Sequence, residues 1–150
     1  MIYIDADACP VRSEAEAVAS RHQTRMLVVC NGGLRPSANP LVEVVYVDGG
    51  PDVADMWIAE RAGPGDVVVT GDIPLAAKCV AAGAEVIRHN GEAFSAANIG
   101  QKLAMRDLAA DLRAADPLRA GGGRAFSKAD RARFSGALEQ ALRRAAKHQA

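Results

Sequence analysis

The sequence predicts an α/β protein: a three-layer α/β/α sandwich around a mainly parallel, five-stranded sheet, with a helical C-terminal extension. Three observations predict it. Short, β-branched apolar runs recur at Ile2–Asp5, Met26–Val29, Val42–Val47, Val67–Thr70 and Glu85–Ile87, and helical patterns separate most of them, which is the signature of βαβ units. The runs are rich in valine, as strands buried on both faces are. Beyond residue 90 the strand pattern gives way to helical periodicity. A chain of 150 residues makes one domain with room for a core. It divides into an α/β core over 1–90 and a helical extension over 91–150.

Each element has a local reason. After the first strand, Pro10 suits the first turn of a helix running to about His22. The second strand ends in Asn31-Gly-Gly-Leu-Arg-Pro-Ser-Ala-Asn-Pro40, a loop with turn chemistry at nearly every position. Gly49-Gly50-Pro51 breaks the third strand and opens a helix from about Asp52 to Arg61, and Gly63-Pro64-Gly65 turns the chain into the fourth. Asp72 starts a helix through about Ala82, which Gly83 ends. In the extension, Ser95 is placed to cap a helix over about Ala96–Ala115 with Leu103, Leu108 and Leu112 on its apolar side. A Gly-rich connector, Asp116–Phe126, leads to Ser127 with Asp130 three residues on, a capping-box spacing. Phe134, Leu138 and Leu142 then make an i, i+4, i+8 stripe on the last helix.

Net charge is zero but unevenly laid out. Residues 1–120 carry 11 Lys/Arg against 16 Asp/Glu, whereas residues 121–150 carry 7 against 2. An acidic body with a basic tail suits a cation-holding site beside an anion-steering arm, or simply a solvated helix face. No apolar run approaches the roughly 20 residues needed to span a bilayer, and the chain enters a strand directly, without a signal-like segment. The expectation is a cytoplasmic protein with no membrane partner; nothing in the sequence sets an oligomeric state. Cys9, Cys30 and Cys79 are odd in number and widely spaced, which disfavours a disulfide framework or a zinc site.

The chemistry points to three acidic positions, each just after an apolar β run. Asp5 and Asp7 flank one alanine at the end of the first strand, so in extended chain they point to one side. Asp52 and Asp55 follow the third strand and share a helix face. Asp72 follows Val67-Val-Val-Thr-Gly71. In a parallel sheet the carboxyl ends of the strands share one edge, where ligand crevices form. Carboxylates gathered there repel one another unless a cation joins them, which argues for a hard divalent metal. Each acid also has a purely structural use: Asp7 and Asp72 as caps, Asp52 as a first-turn partner of the helix dipole. Asp55, set beside Met56, Trp57 and Ile58, is harder to explain that way. Thr70 is placed to bind an oxygen ligand, and Asn31 to meet a ligand or hold its own loop. Cys9 reads as a small buried residue beside the acids, and His22, His89 and His148 have no evident partner.

The stretches Asp5-Ala-Asp-Ala-Cys-Pro-Val11, Asp52-Val-Ala-Asp-Met-Trp-Ile58, Val69-Thr-Gly-Asp-Ile-Pro-Leu-Ala76, Asn98-Ile-Gly-Gln-Lys-Leu-Ala-Met-Arg106 and Gly123-Arg-Ala-Phe-Ser-Lys-Ala-Asp-Arg131 resemble the bacterial YaiI/YqxD family over nearly the whole chain. That family is regarded as similar to the PIN-like nucleases, which cut phosphodiester bonds with Mg²⁺ or Mn²⁺ held by acids at strand ends. The resemblance implies a PIN-like domain in which Asp5, Asp55 and Asp72 are the metal-holding, catalytic acids, with Asp7 and Asp52 as additional metal-site acids, and RNA or DNA as the substrate. One departure stands out. PIN-like nucleases usually carry a further acid on an intervening helix, and Glu14, Glu16 and Glu43, the acids available here, are not well placed for it.

Such a site needs cations to offset the phosphate. Arg12, Lys78, Arg106, Arg124, Lys128 and Arg131 are the candidates; Arg124 and Lys128 stand out because Gly121-Gly-Gly123 lets them swing and the last helix offers free N–H groups at its start. Two other functions fit the same residues. Asp5-x-Asp7 after a strand is the arrangement of a phosphatase nucleophile and its general acid. A degenerate site would leave a non-catalytic metal- or nucleic-acid-binding module.

Overall fold

The computed structural model describes residues 1–5, 11–32, 34–49, 51–105 and 126–147. The elements run β1 (Ile2–Asp5), α1 (Arg12–Arg21), β2 (Met26–Cys30), β3 (Val42–Tyr46), α2 (Pro51–Arg61), β4 (Val67–Val69), α3 (Ile73–Ala81), β5 (Glu85–Ile87) and β6 (Ala93–Phe94). A helix α4 is described over 99–105, and α5 spans Lys128–Lys147. The expected helix start at Pro10, the remainder of the 96–115 helix and all but the end of the 116–126 connector fall outside the described residues.

The sheet has six strands rather than the expected five, in the order β3-β2-β1-β4-β5-β6. All neighbours are parallel except β5 and β6, which pair antiparallel through Val86–Phe94 and Ile87–Ala93. A two-residue strand has no periodicity to detect, which is why it escapes a pattern reading. The tight turn into it is held by Arg88 N–H to the Glu92 carbonyl at 2.8 Å and Gly91 N–H to the Arg88 carbonyl at 2.9 Å. Gly91 sits at φ +89° against α5, where an added Cβ would stand 2.9 Å from the Arg133 carbonyl oxygen. Only glycine meets both demands.

Strand alternation sorts the core into two layers. Ile2, Ile4, Met26, Val28, Val67 and Val69 face α1 and α5, packing on Ala15, Val18, Phe134, Leu138 and Ala141. Tyr3, Leu27, Val29, Val68 and Val86 face the other way, onto Ala54 and Ile58 of α2, Ile73, Ala76 and Cys79 of α3, and Ile99 and Leu103 of α4. Burial on both faces holds for β1, β2 and β4 but fails for β3, which lies at the sheet edge with Glu43 and Tyr46 exposed. Ser95 heads α4 as expected, exchanging bonds with Asn98, but the regular helix begins at 99 rather than 96.

The described part of the extension supplies β6 to the sheet, α4 to the α2/α3 layer, and α5, which shares the other layer with α1. The Phe134–Leu138–Leu142 stripe of α5 is buried as expected, and Phe134 is among the largest side chains with no exposure at all. Ion pairs pin α5 along its length: Arg131 to Glu14 at 3.0 Å near its start, Glu139 to Arg21 at 2.6 Å, and Arg144 to Glu85 at 3.0 Å near its end. These fix direction more than stability, since ion pairs that water reaches contribute little. Helix α5 therefore starts at the carboxyl edge of the sheet. No helix among the described residues is long and apolar enough to cross a membrane.

Removing the Phe134 ring leaves a void between α5 and the sheet. Phe134→Ala is expected to lower the unfolding free energy by about 3–5 kcal/mol, while Met105→Ala, 58% exposed, changes it by about 0.5 kcal/mol or less. Urea unfolding of the two variants checks this.

Candidate functional site

The strand order reverses direction at the β1/β4 boundary, with β2 and β3 on one side and β5 and β6 on the other. In an open parallel sheet that boundary leaves a crevice outside the carboxyl ends of the strands. Asp5 ends β1 there, 3% exposed. Following Tyr3 in the alternation, it faces the α2/α3 layer.

Buried carboxylates need donors. Fully buried Thr70, one residue past β4, donates its hydroxyl to Asp5 Oδ2 at 2.9 Å. The same hydroxyl accepts the Asp72 N–H at 3.0 Å. Asp72 is the N-cap of α3, its Oδ1 accepting the Leu75 N–H at 3.0 Å. The capping use of Asp72 and its place at the site therefore coexist, one oxygen committed to the helix.

Asp55 comes from α2, partly buried on the helix that crosses over this face. Its pKa is pushed up from 3.8 to about 7: burial is the largest cause, followed by the charge of Asp72 and a hydrogen bond with it, then by Asp5 and Asp52. The three acids of α2, α3 and β1 thus lie within one another's field, with exposed Asp52 at the rim. Among the described residues, however, no three His, Cys, Asp or Glu side chains close into a ready metal cage. The donors at this edge are all oxygens, the chemistry that suits Mg²⁺ or Mn²⁺.

The other expected site residues divide. Asp7 and Arg124 lie outside the described residues. Asn31 is exposed just past β2. Lys78 lies more than one helical turn beyond Asp72 and lines a hollow with Met56, Ala59 and Glu60. Lys128 is exposed in the first turn of α5. Arg131, a candidate phosphate contact, lies over the Phe126 ring at 5.1 Å and is paired with Glu14.

One residue at this edge carried no signal of chemistry in sequence. His89 lies two residues past β5, and a Cβ on Gly71 would stand 3.9 Å from its Nδ1. Its ring meets Phe126 at 5.6 Å. Burial, and then the charge of Arg88, pull its pKa below 6.5 against the opposing effect of Asp130. The register Val69–Ile87, extended two residues, is the signal that would have set His89 beside Gly71.

The sequence profile of a family of bacterial proteins described as uncharacterised, the YaiI/YqxD family, matches residues 3–144. The chain belongs to the YaiI/YqxD family. It is 75% identical over 145 residues to a UPF0178 protein of Ruegeria pomeroyi, covering 96% of this chain and 94% of that one. A UPF0178 protein of Roseobacter denitrificans is 71% identical, with 97% and 96% covered, and one of Parvibaculum lavamentivorans is 56% identical, with 95% of each covered. No solved structure matches the chain significantly. The YaiI/YqxD name describes no activity, so function rests on the site itself.

Asp55 gives this YaiI/YqxD protein a pH signature. A carboxyl whose pKa rises from 3.8 to about 7 on folding contributes its stability fully below the lower value and loses it as pH rises through the upper one. Without added metal, the melting temperature is expected to fall between pH 5 and pH 8. Asp55→Asn is expected to flatten that decline, with its gain over wild type larger at pH 8 than at pH 5. Thr70→Val keeps the shape but removes the donor to Asp5 and the acceptor for Asp72; its expected cost is about 1–3 kcal/mol, read by urea unfolding.

Proposed function

We propose that this YaiI/YqxD protein is a divalent-metal-dependent phosphodiesterase acting on RNA or DNA in the cytoplasm. The observation that carries the reading is the meeting of Asp5, Asp55 and Asp72 at the β1/β4 boundary, where the other acids help hold Asp55 near a pKa of 7. Burial is the largest cause of that shift, and the part that comes from neighbouring carboxylates is relieved when a cation sits among them. The resemblance to PIN-like nucleases supports the same assignment, and Mg²⁺ or Mn²⁺ suits the donors.

Asp5, Asp55 and Asp72 would hold the ion, with Asp7 and Asp52 adding negative charge around it. Bound there, the ion supplies Lewis-acid polarisation of a phosphoryl oxygen and a water of lowered pKa for in-line attack. Thr70 fixes the Asp5 carboxylate by its hydrogen bond, and the Leu75 amide fixes Asp72. Lys128 and the first turn of α5, at the same end of the sheet, offer positive charge to the nucleic-acid backbone, with Arg124 and Asn31 as further contacts. A phosphatase that forms a phosphoaspartate at Asp5 is less well supported, because this carboxylate is buried and bonded to Thr70.

Asparagine is as good an N-cap as aspartate, so Asp72→Asn keeps α3 started while removing a charge from the site. Purified protein with Mn²⁺ or Mg²⁺ is expected to cleave end-labelled single- or double-stranded RNA or DNA. Asp5→Asn and Asp72→Asn are expected to slow cleavage by about 100-fold or more, in line with loss of a directly acting group. Calorimetry should show Mn²⁺ heat in wild type that is much reduced in Asp72→Asn. Metal or nucleic-acid binding without cleavage would favour the non-catalytic module, and equal Mn²⁺ heat in both proteins would overturn the site.

A further inference from the structure

We propose that His89 is a substrate-binding residue of this edge, hydrogen-bonding a phosphoryl oxygen of the nucleotide brought to Asp5, Asp55 and Asp72. The inference rests on the reading above that a phosphate comes to this edge, and extends it to a residue with no place in the acid motif.

Three observations carry it. First, position: β4 and β5 are parallel neighbours with Val69 opposite Ile87, and the Thr70 N–H continues the ladder to the Ile87 carbonyl at 3.1 Å. The two strand exits therefore run side by side; alternation from Ile87 sends His89 to the α5 side of this edge, against the Gly71 backbone, while Asp5 faces the α2/α3 side, so a phosphate meeting both lies across the edge. Gly71 lies between Thr70, which holds Asp5, and Asp72. Its missing side chain leaves the imidazole against bare backbone, 3.9 Å from where a Cβ would stand. Second, restraint: Phe126 packs on the imidazole at 5.6 Å with a 49° tilt, and Phe126 is itself placed by the start of α5 and by Arg131. A ring held between the Gly71 backbone and Phe126 loses little freedom on meeting a ligand, which favours affinity. Third, capacity: among the described residues neither ring nitrogen of His89 has a hydrogen-bond partner. In the neutral ring one N–H and one lone pair therefore remain for solvent or a ligand. The depressed pKa agrees with a neutral imidazole that donates without adding charge.

The probe is uridine 5′-monophosphate with Mg²⁺, a phosphate ester that binds without needing to be cleaved. Proton NMR of the full chain resolves the histidine ring signals, and the His89 signal is assigned by its loss in His89→Gln. On titration the His89 signal is expected to shift saturably, and the shift to vanish in Asp72→Asn. The signal of His22, at the opposite edge of the sheet beside Arg25 and Gly65, is expected to stay still. His89→Ala is expected to weaken binding about tenfold, the effect of one hydrogen bond of about 1.4 kcal/mol, and His89→Gln, which retains a donor, to recover part of it. A His89 signal that does not move, or a folded His89→Ala that binds as tightly as wild type, overturns the inference. If the His89 shift and the weakened binding are seen but wild type cleaves no phosphodiester, hydrolysis falls while the role of His89 stands.

Discussion

The Thr70 hydroxyl, bonded to Asp5 across the β1/β4 boundary, is the contact on which the site depends. A carboxylate at 3% exposure is tolerated only with donors around it. The Thr70 donor comes from the neighbouring strand, so it exists only because β1 and β4 lie side by side. That pairing joins segments 65 residues apart and sets where the sheet changes direction. Through its acceptor side the same oxygen takes the Asp72 amide and so shapes the turn into α3. Strand order, acid orientation and helix start are thereby tied to one side chain.

Around that contact the fold accepts electrostatic strain. Three carboxyl groups lie within one another's influence in a partly dry place, and the most responsive of them, Asp55, holds its proton to about neutral pH. Helices α2 and α3 both begin near this edge, and the positive ends of their dipoles offset part of the negative charge. They do not remove it: after burial, the charges of Asp72, Asp5 and Asp52 still add to the rise in the Asp55 pKa. A surplus of negative charge gathered by burial and topology is the condition under which cation binding and stability become linked.

The three acids were legible because each follows a β run, and a parallel sheet sends every such position to one edge. The core was legible for the same reason: the Phe134–Leu138–Leu142 stripe and the valine runs advertise their periods. What was hidden depends on contacts that no period encodes. Two residues are too few to announce β6, and the edge position of β3 follows from strand order rather than from its own composition. Arg131 read only as a candidate phosphate cation, because its partner, Glu14, lies 117 residues away. His89 follows a short strand without any acid-like motif, and only the pairing of β4 with β5 puts it beside Gly71.

The charge asymmetry of the chain also acquires a second meaning. Steering of an anionic ligand requires cations with unsatisfied field, yet Arg131, Arg133 and Arg144 sit against Glu14, Asp130 and Glu85. Two of these pairs, Arg131–Glu14 and Arg144–Glu85, hold α5 to the acidic body, whereas Arg133–Asp130 lies within α5 itself. Opposite net charges on the two parts favour that docking over distances up to a Debye length, about 8–10 Å in physiological salt. Docking in turn puts Phe126 on His89 and sets the exposed Lys128 at the carboxyl edge. The direction of α5 is thus set by its ion pairs, and that direction puts its first turn beside the strand exits, where Phe126 meets His89.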